Sequence, residues 1–208
     1  MNKIETFYHG SCRLFKKFSL SFLGTGEGDN KFGKGIYITS SYKTAAKYAA
    51  KAAKRGGSDA YYVYTIEVPV LTESNHLYSN GAVNKDIVAI VEKEIGEAIP
   101  EEAKAIGKFF RKYVGNLLDH KQNGSDKKRK TLNQMTRAAT PDVELLASAF
   151  FRKHGLTFYA WPQSQTKPDG ETNRVVLNEN DIRIVKVEQV ECDEKNKLIE
   201  GSEKLIQL

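Results

Sequence analysis

Phe32-Gly33-Lys34-Gly35-Ile36-Tyr37-Ile38-Thr39-Ser40-Ser41, with the alanine-rich run over 42–55 behind it, decides the reading of this chain. Its glycines mark a loop, and Ile36-Tyr37-Ile38-Thr39, β-branched and aromatic, predicts a strand. Ser40 or Ser41 supplies the N-cap of a helix over 42–55, which Gly56-Gly57 stops. Upstream, Tyr8 and the residues before it predict a short strand leading into His9-Gly10-Ser11. A polar, glycine-rich loop through Gly24, Thr25, Gly26, Gly28, Asp29 and Asn30 joins the two strands. Downstream, residues 60–68 carry apolar side chains for both faces, which predicts a buried strand ended by Pro69.

The middle of the chain changes character. Ile87, Ile90, Val91 and Ile95 recur at helical spacing until Pro100 breaks the run. A second helix carries Ala103, Ile106, Phe109, Phe110, Val114 and Leu117 on its apolar side. The polar, basic stretch over 123–130 reads as an exposed loop. Thr140-Pro141-Asp142 starts another helix, with threonine as the cap and proline in the first turn, and Gly155 ends it. Short strands follow at 156–161, 174–177 and 182–189. Strands, then helices, then strands, with no regular βαβ alternation, predict an α+β fold.

The chain has 208 residues, which fits one domain over 1–208, with residues 83–137 as a helical, basic insertion. No apolar run approaches the roughly 20 residues needed to span a bilayer. Residues 1–5 lack a charged-then-apolar signal pattern, so the expectation is a cytoplasmic protein, with delivery into a target cell left open. Two cysteines, Cys12 and Cys192, make no disulfide framework, and Cys12 with His9 is too small a set for a metal, so no metal is expected. A net charge of +6 is compatible with an anionic cofactor, a nucleic acid or an acidic protein surface.

Neither His9-Gly10-Ser11 nor Phe32-Gly33-Lys34-Gly35-Ile36-Tyr37 means much alone. Together they form a set: a strand ending in His-Gly-Ser, a glycine-rich loop, a strand bearing Gly-Ile-Tyr, and a helix that returns Tyr48 eleven residues after Tyr37. This set resembles the ADP-ribosyltransferase superfamily of the poly(ADP-ribose) polymerase and diphtheria-toxin type, including its small bacterial and phage branches. The match covers about a fifth of the chain, with a weaker match in the C-terminal strands. The resemblance implies split antiparallel sheets around a cleft for NAD⁺, which is the substrate. It implies that His9 bonds a ribose hydroxyl, that the backbone of Gly10 holds the nicotinamide carboxamide, and that Ser11 donates a supporting bond. Tyr37 and Tyr48 would sandwich the cationic nicotinamide ring. Ala45 stands where the polymerases carry a serine.

The family's third motif is a glutamate on a late strand, whose charge steadies an oxocarbenium-like transition state. The matching stretch here is residues 170–178, and Asn173 takes the glutamate's place. Glu171, two residues earlier, falls on the same face of an extended strand. Three readings stay open. Glu171 does the catalytic work, one ADP-ribose is transferred without the glutamate, or the fold binds NAD⁺ without turning it over.

The resemblance implies mono-ADP-ribosyl transfer to a macromolecule, nucleic acid (RNA especially) or protein, with loss of the glutamate arguing against polymer elongation. Small free-standing relatives of this kind are toxins, effectors or defence proteins, and a toxin needs a cognate antitoxin or immunity partner. No membrane partner is expected. The cations Lys104, Lys108, Arg111, Lys112, Lys121, Lys127, Lys128, Arg129 and Lys130 form either a solvated face or a phosphate-contacting surface. Arg13 and Lys16 lie within reach of a pyrophosphate or are simply solvated. The readings from other classes are an inactive NAD⁺ or ADP-ribose binding module and a nucleic-acid-binding protein.

Overall fold

The computed structural model describes residues 3–22, 32–124, 130–164 and 167–208; for Phe22, 163–164 and 167–171 it describes the backbone alone. The loop expected through Gly24, Thr25, Gly26, Gly28, Asp29 and Asn30, and the basic residues Lys127, Lys128 and Arg129, lie outside the described residues. The fold is α+β. The chain forms two compact units. One comprises Met1–Asp29, Ile36–Val70 and Pro162–Leu208, and the other comprises Asn30–Gly35 and Leu71–Trp161.

The first unit is built on antiparallel strands. β1 (Ile4–Ser11), β2 (Ile36–Thr39), β3 (Tyr61–Pro69), β6 (Lys167–Val176), β7 (Arg183–Val190) and β8 (Lys204–Ile206) follow the order β6-β2-β1-β3-β7-β8. β1 and β3 pair along their whole length, from Ile4↔Pro69 to Ser11↔Tyr62. β3 is buried on both faces, as its composition predicts, with Val63, Tyr64, Ile66 and Val68 all in the core. Over it lies α1 (Tyr42–Gly56). Ser41 caps this helix by accepting from the Thr44 N–H, and Gly57, left-handed at φ 64°, ends it. The buried side of α1 is Ala45, Ala46, Ala49, Ala50 and Ala53, a face without bulk that lets the helix lie close on the sheet. β6 begins seven residues before the predicted 174. Residues 167–173 are too polar to show a strand pattern, and backbone pairing carries them.

The second unit holds the helices α2 (Lys85–Ile95), α3 (Glu101–Lys104), α4 (Gly107–Asn123), α5 (Leu132–Arg137) and α6 (Pro141–Lys153). It also holds a parallel pair, β4 (His76–Tyr78) with the first residues of β5 (Phe158–Ser164). The helix predicted to run from Ala103 through Leu117 is broken: Ile106 is extended, and α4 starts afresh behind it. The reason is visible in the bonds, because the N–H groups of Gly107 and Lys108 donate to the carbonyls of Gly81 and Ser79 instead of continuing α3. α4 packs against α5 and α6. Between α4 and α6, Arg111 is buried and forked onto Glu144, with Nε to Oε2 at 2.7 Å and Nη2 to Oε1 at 3.0 Å.

Candidate functional site

His9 belongs to β1, and what places its ring is a failure of pairing. β1 meets β2 at Tyr8↔Thr39. Beyond that pair the ladder does not continue, so residues 9–11 face residues 36–38 across an opening. A strand edge without a partner offers its N–H and C=O groups to whatever enters. The His9 ring reaches over the opening, and its Nδ1 lies 2.8 Å from the carbonyl oxygen of Tyr37. A carbonyl only accepts, so Nδ1 carries the proton and donates. Burial pushes the His9 pKa below its ordinary value, opposed by this bond, which favours the charged form. The ring is therefore neutral near pH 7, and Nε2 is a bare acceptor.

Around the ring stand Phe18, edge-on at 5.1 Å between centroids, then Tyr64 at 6.1 Å and Phe15 at 6.2 Å. Phe15 stacks flat on Tyr64 at 4.2 Å. The Tyr64 hydroxyl accepts from the Phe15 N–H at 2.7 Å and donates to the Arg13 carbonyl at 3.1 Å. Burial pushes this phenol up to about 12, so it stays a donor at any ordinary pH. None of these three aromatics was read as part of the site. The signal available for Tyr64 was its place in an apolar strand; nothing local ties it to His9.

Gly10 is held by packing. A Cβ there would sit 1.9 Å from the Ala45 carbonyl oxygen on α1, a backbone atom that cannot swing away. Ala45, where the resembled polymerases have serine, is buried in one cluster with Ala46, Val63 and Val190. Ser11 accepts from the Arg13 N–H at 3.0 Å, and its hydroxyl proton remains to be given elsewhere.

Tyr37 lies on β2 opposite Val175 of β6, and Thr39 lies opposite Asn173. Direct partners share a face, and so do residues two apart, so Tyr37 and Asn173 are diagonal neighbours on one face. Tyr8, as the partner of Thr39, belongs to that face with Gly10, and it is the face that α1 covers. Asn173 is 5% exposed. Arg174 points to the opposite face, where it bonds Glu5 at 2.5 Å and lies 4.2 Å over the Phe7 ring. Glu171 is on β6, and its side chain lies outside the described residues. Tyr48 is 40% exposed on α1, with the Lys51 ammonium 5.9 Å over its ring. The structure thus brings together His9 and Tyr37 by a hydrogen bond, and Tyr37 and Asn173 by register. It shows no closed clamp of Tyr37 on Tyr48.

The glycine motif before β2 has its own anchor within the second unit. Phe32 stacks on Trp161 at 4.0 Å. Gly33, at φ 107°, lies against the Tyr159 ring, which a Cβ would meet at 2.4 Å. The far side of the second unit's basic character is mostly committed inward. Lys104 pairs with Glu92 and Glu101, Lys112 donates to the Arg137 carbonyl, Lys121 to the Ile95 carbonyl, and Lys130 to the Asn116 side chain. Tyr113, considered as a base-stacking ring, is buried in the core. Among the described residues no group of three or more His, Cys, Asp or Glu is arranged to hold a metal ion. Among them, too, no helix is long and apolar enough to cross a membrane.

Compared with known proteins, the chain matches no family description, no curated protein and no solved structure.

Proposed function

We propose that this chain is a mono-ADP-ribosyltransferase with the ADP-ribosyltransferase fold, moving ADP-ribose from NAD⁺ to a macromolecular acceptor. The observation that carries the reading is the His9–Tyr37 bond. Two residues 28 apart in sequence, chosen by motif alone, meet at the one place where neighbouring antiparallel strands part. A slot of that kind is what a dinucleotide lying across a split sheet requires.

In this reading NAD⁺ enters between β1 and β2. The bare Nε2 of His9 accepts a bond from a ribose hydroxyl of the adenosine half. The strand edge at Gly10 takes the nicotinamide carboxamide, and the Tyr37 ring faces the cationic pyridinium. The bond between nicotinamide nitrogen and ribose C1′ then breaks, nicotinamide leaves neutral with the electron pair, and positive charge passes to the ribose. Asn173 bonds a ribose hydroxyl but brings no negative charge, so Glu171 is the candidate for steadying the oxocarbenium ion. A nucleophile on the acceptor attacks C1′ and gives up its proton.

A second reading has an observation of its own. Asn173 replaces the glutamate and is almost wholly buried, which suits a module that binds NAD⁺ without cleaving it. The acceptor in the first reading is a protein or a nucleic acid in the cytoplasm, and a toxin of this type would be restrained by a cognate partner. The test offers labelled NAD⁺ and the purified protein to RNA, DNA and a cell lysate in parallel. Label on one class of macromolecule supports the transferase and identifies its acceptor. Binding of NAD⁺ with neither transfer nor nicotinamide release supports the silent module. Glu171→Gln should lower the rate at least about tenfold if its charge steadies the transition state.

A further inference from the structure

The segment between Ser11 and the short 3-10 turn at Leu20–Phe22 has no ladder to hold it, yet it forms one wall around His9. Its attachment is a single phenol. Tyr64, fully buried on β3 and the direct cross-strand partner of His9, ties Arg13 and Phe15 through its hydroxyl and stacks on the Phe15 ring. The segment then lays Phe18 edge-on against the imidazole. Opposite, the Tyr37 carbonyl takes the Nδ1 proton. The imidazole is thus gripped from both sides, by a carbonyl that dictates its tautomer and by a wall that excludes water from it.

We propose that Tyr64 is a positioning residue, whose hydroxyl fixes residues 13–18 over His9 and so keeps His9 as a neutral ring that can only accept at Nε2. The inference rests on the proposed NAD⁺ reading for its use, since an acceptor nitrogen suits a sugar hydroxyl and not a phosphate oxygen. Its physical content stands apart from that reading, because the state of the ring is measurable with no ligand present. The charged groups on the same sheet face are Glu5, two strand positions beyond Phe7, and Arg174, which is paired with it. Both are on the Phe7 side of His9, and neither is in the wall that Tyr64 holds.

Tyr64→Phe keeps the ring, its burial and its stack on Phe15 and removes the two hydroxyl bonds. The experiment follows the His9 ring nitrogens by NMR in the protein without ligand, as a function of pH, alongside NAD⁺ kinetics. Wild type should show one tautomer, protonated at Nδ1, with a pKa below 6.5. In Tyr64→Phe the pKa should rise toward that value as water reaches the ring, and the tautomers should begin to average. The KM for NAD⁺ should rise about tenfold with kcat within about twofold, the pattern of weakened ground-state binding. A folded Tyr64→Phe with the wild-type tautomer and pKa at His9 would overturn the proposal. Should that variant not fold, Phe18→Leu decides: it leaves the Tyr64 bonds intact and removes the ring that touches His9. An upward pKa shift there supports the wall, and an unmoved pKa overturns it. If His9 responds as described while wild type neither binds nor cleaves NAD⁺, the positioning role stands and the NAD⁺ reading falls.

Discussion

At the scale of single residues, His9 is set by what its neighbours can and cannot do. The Tyr37 carbonyl cannot donate, so the tautomer is decided; Phe18, Phe15 and Tyr64 cannot solvate a cation, so the proton that would charge the ring is refused. That refusal has a consequence for stability. The unfolded chain protonates His9 below about pH 6.5, the ordinary value, while the folded chain resists until a lower pH. The unfolded state therefore binds more protons in that window, and stability falls as pH drops through it. Above 6.5 neither state is protonated and the contribution is flat. The melting temperature of wild type should decline more steeply between pH 6.5 and 5 than that of His9→Gln. Parallel curves for the two would mean that the ring is not desolvated. His9 was legible in the sequence because its motif is local. Its surroundings were not, because Phe15, Phe18 and Tyr64 meet it only after β3 pairs with β1. Asn173 was legible as a substitution, but its burial depends on the register of β6 against β2, which no local pattern in a polar strand reveals.

At the scale of elements, β1 and α1 are matched surfaces. Five alanines on the helix and one glycine on the strand let two backbones approach to contact. Gly10→Ala forces a methyl group into the Ala45 carbonyl, and we expect a loss of about 3 kcal/mol, or roughly 6–12 °C in melting temperature for a chain of this size. A melting temperature within about 2 °C of wild type would show that helix and strand are not in contact there. The caps and alanines of α1 and the apolar run of β3 announced themselves, since each is written in consecutive residues. The break before α4 did not, because the carbonyls that take its first N–H groups belong to Ser79 and Gly81, more than twenty residues upstream. Arg111 misled for the same reason. It reads as one cation in a basic run, yet it flanks the apolar positions Phe110 and Val114 and finds Glu144 on α6 beside Val143 and Ala147. A buried charge is acceptable only when its partner is present, and that partner is 33 residues away.

At the scale of the whole molecule, the net charge of +6 overstates what is free to attract a polyanion. Lys104, Lys112 and Lys121 are bonded within the second unit, to carboxylates or to backbone carbonyls. Replacing all three by alanine should lower the unfolding midpoint and leave the salt dependence of any RNA binding unchanged. A slope of log affinity against log salt shallower by about two, the value for three lost phosphate contacts on a single strand, would return these lysines to the nucleic acid. The molecule's function, in this account, is concentrated where β1 parts from β2, and the rest of the chain holds that opening or presents it to an acceptor. The most direct test is nicotinamide release from NAD⁺ by wild type, His9→Ala and Tyr37→Ala, each first shown to be folded by its melting curve. Release by wild type, and its loss by at least about a hundredfold (~2.7 kcal/mol) in both variants, is the predicted result. Undiminished release in both folded variants would contradict the account, because the opening between β1 and β2 would then not be where NAD⁺ is cleaved.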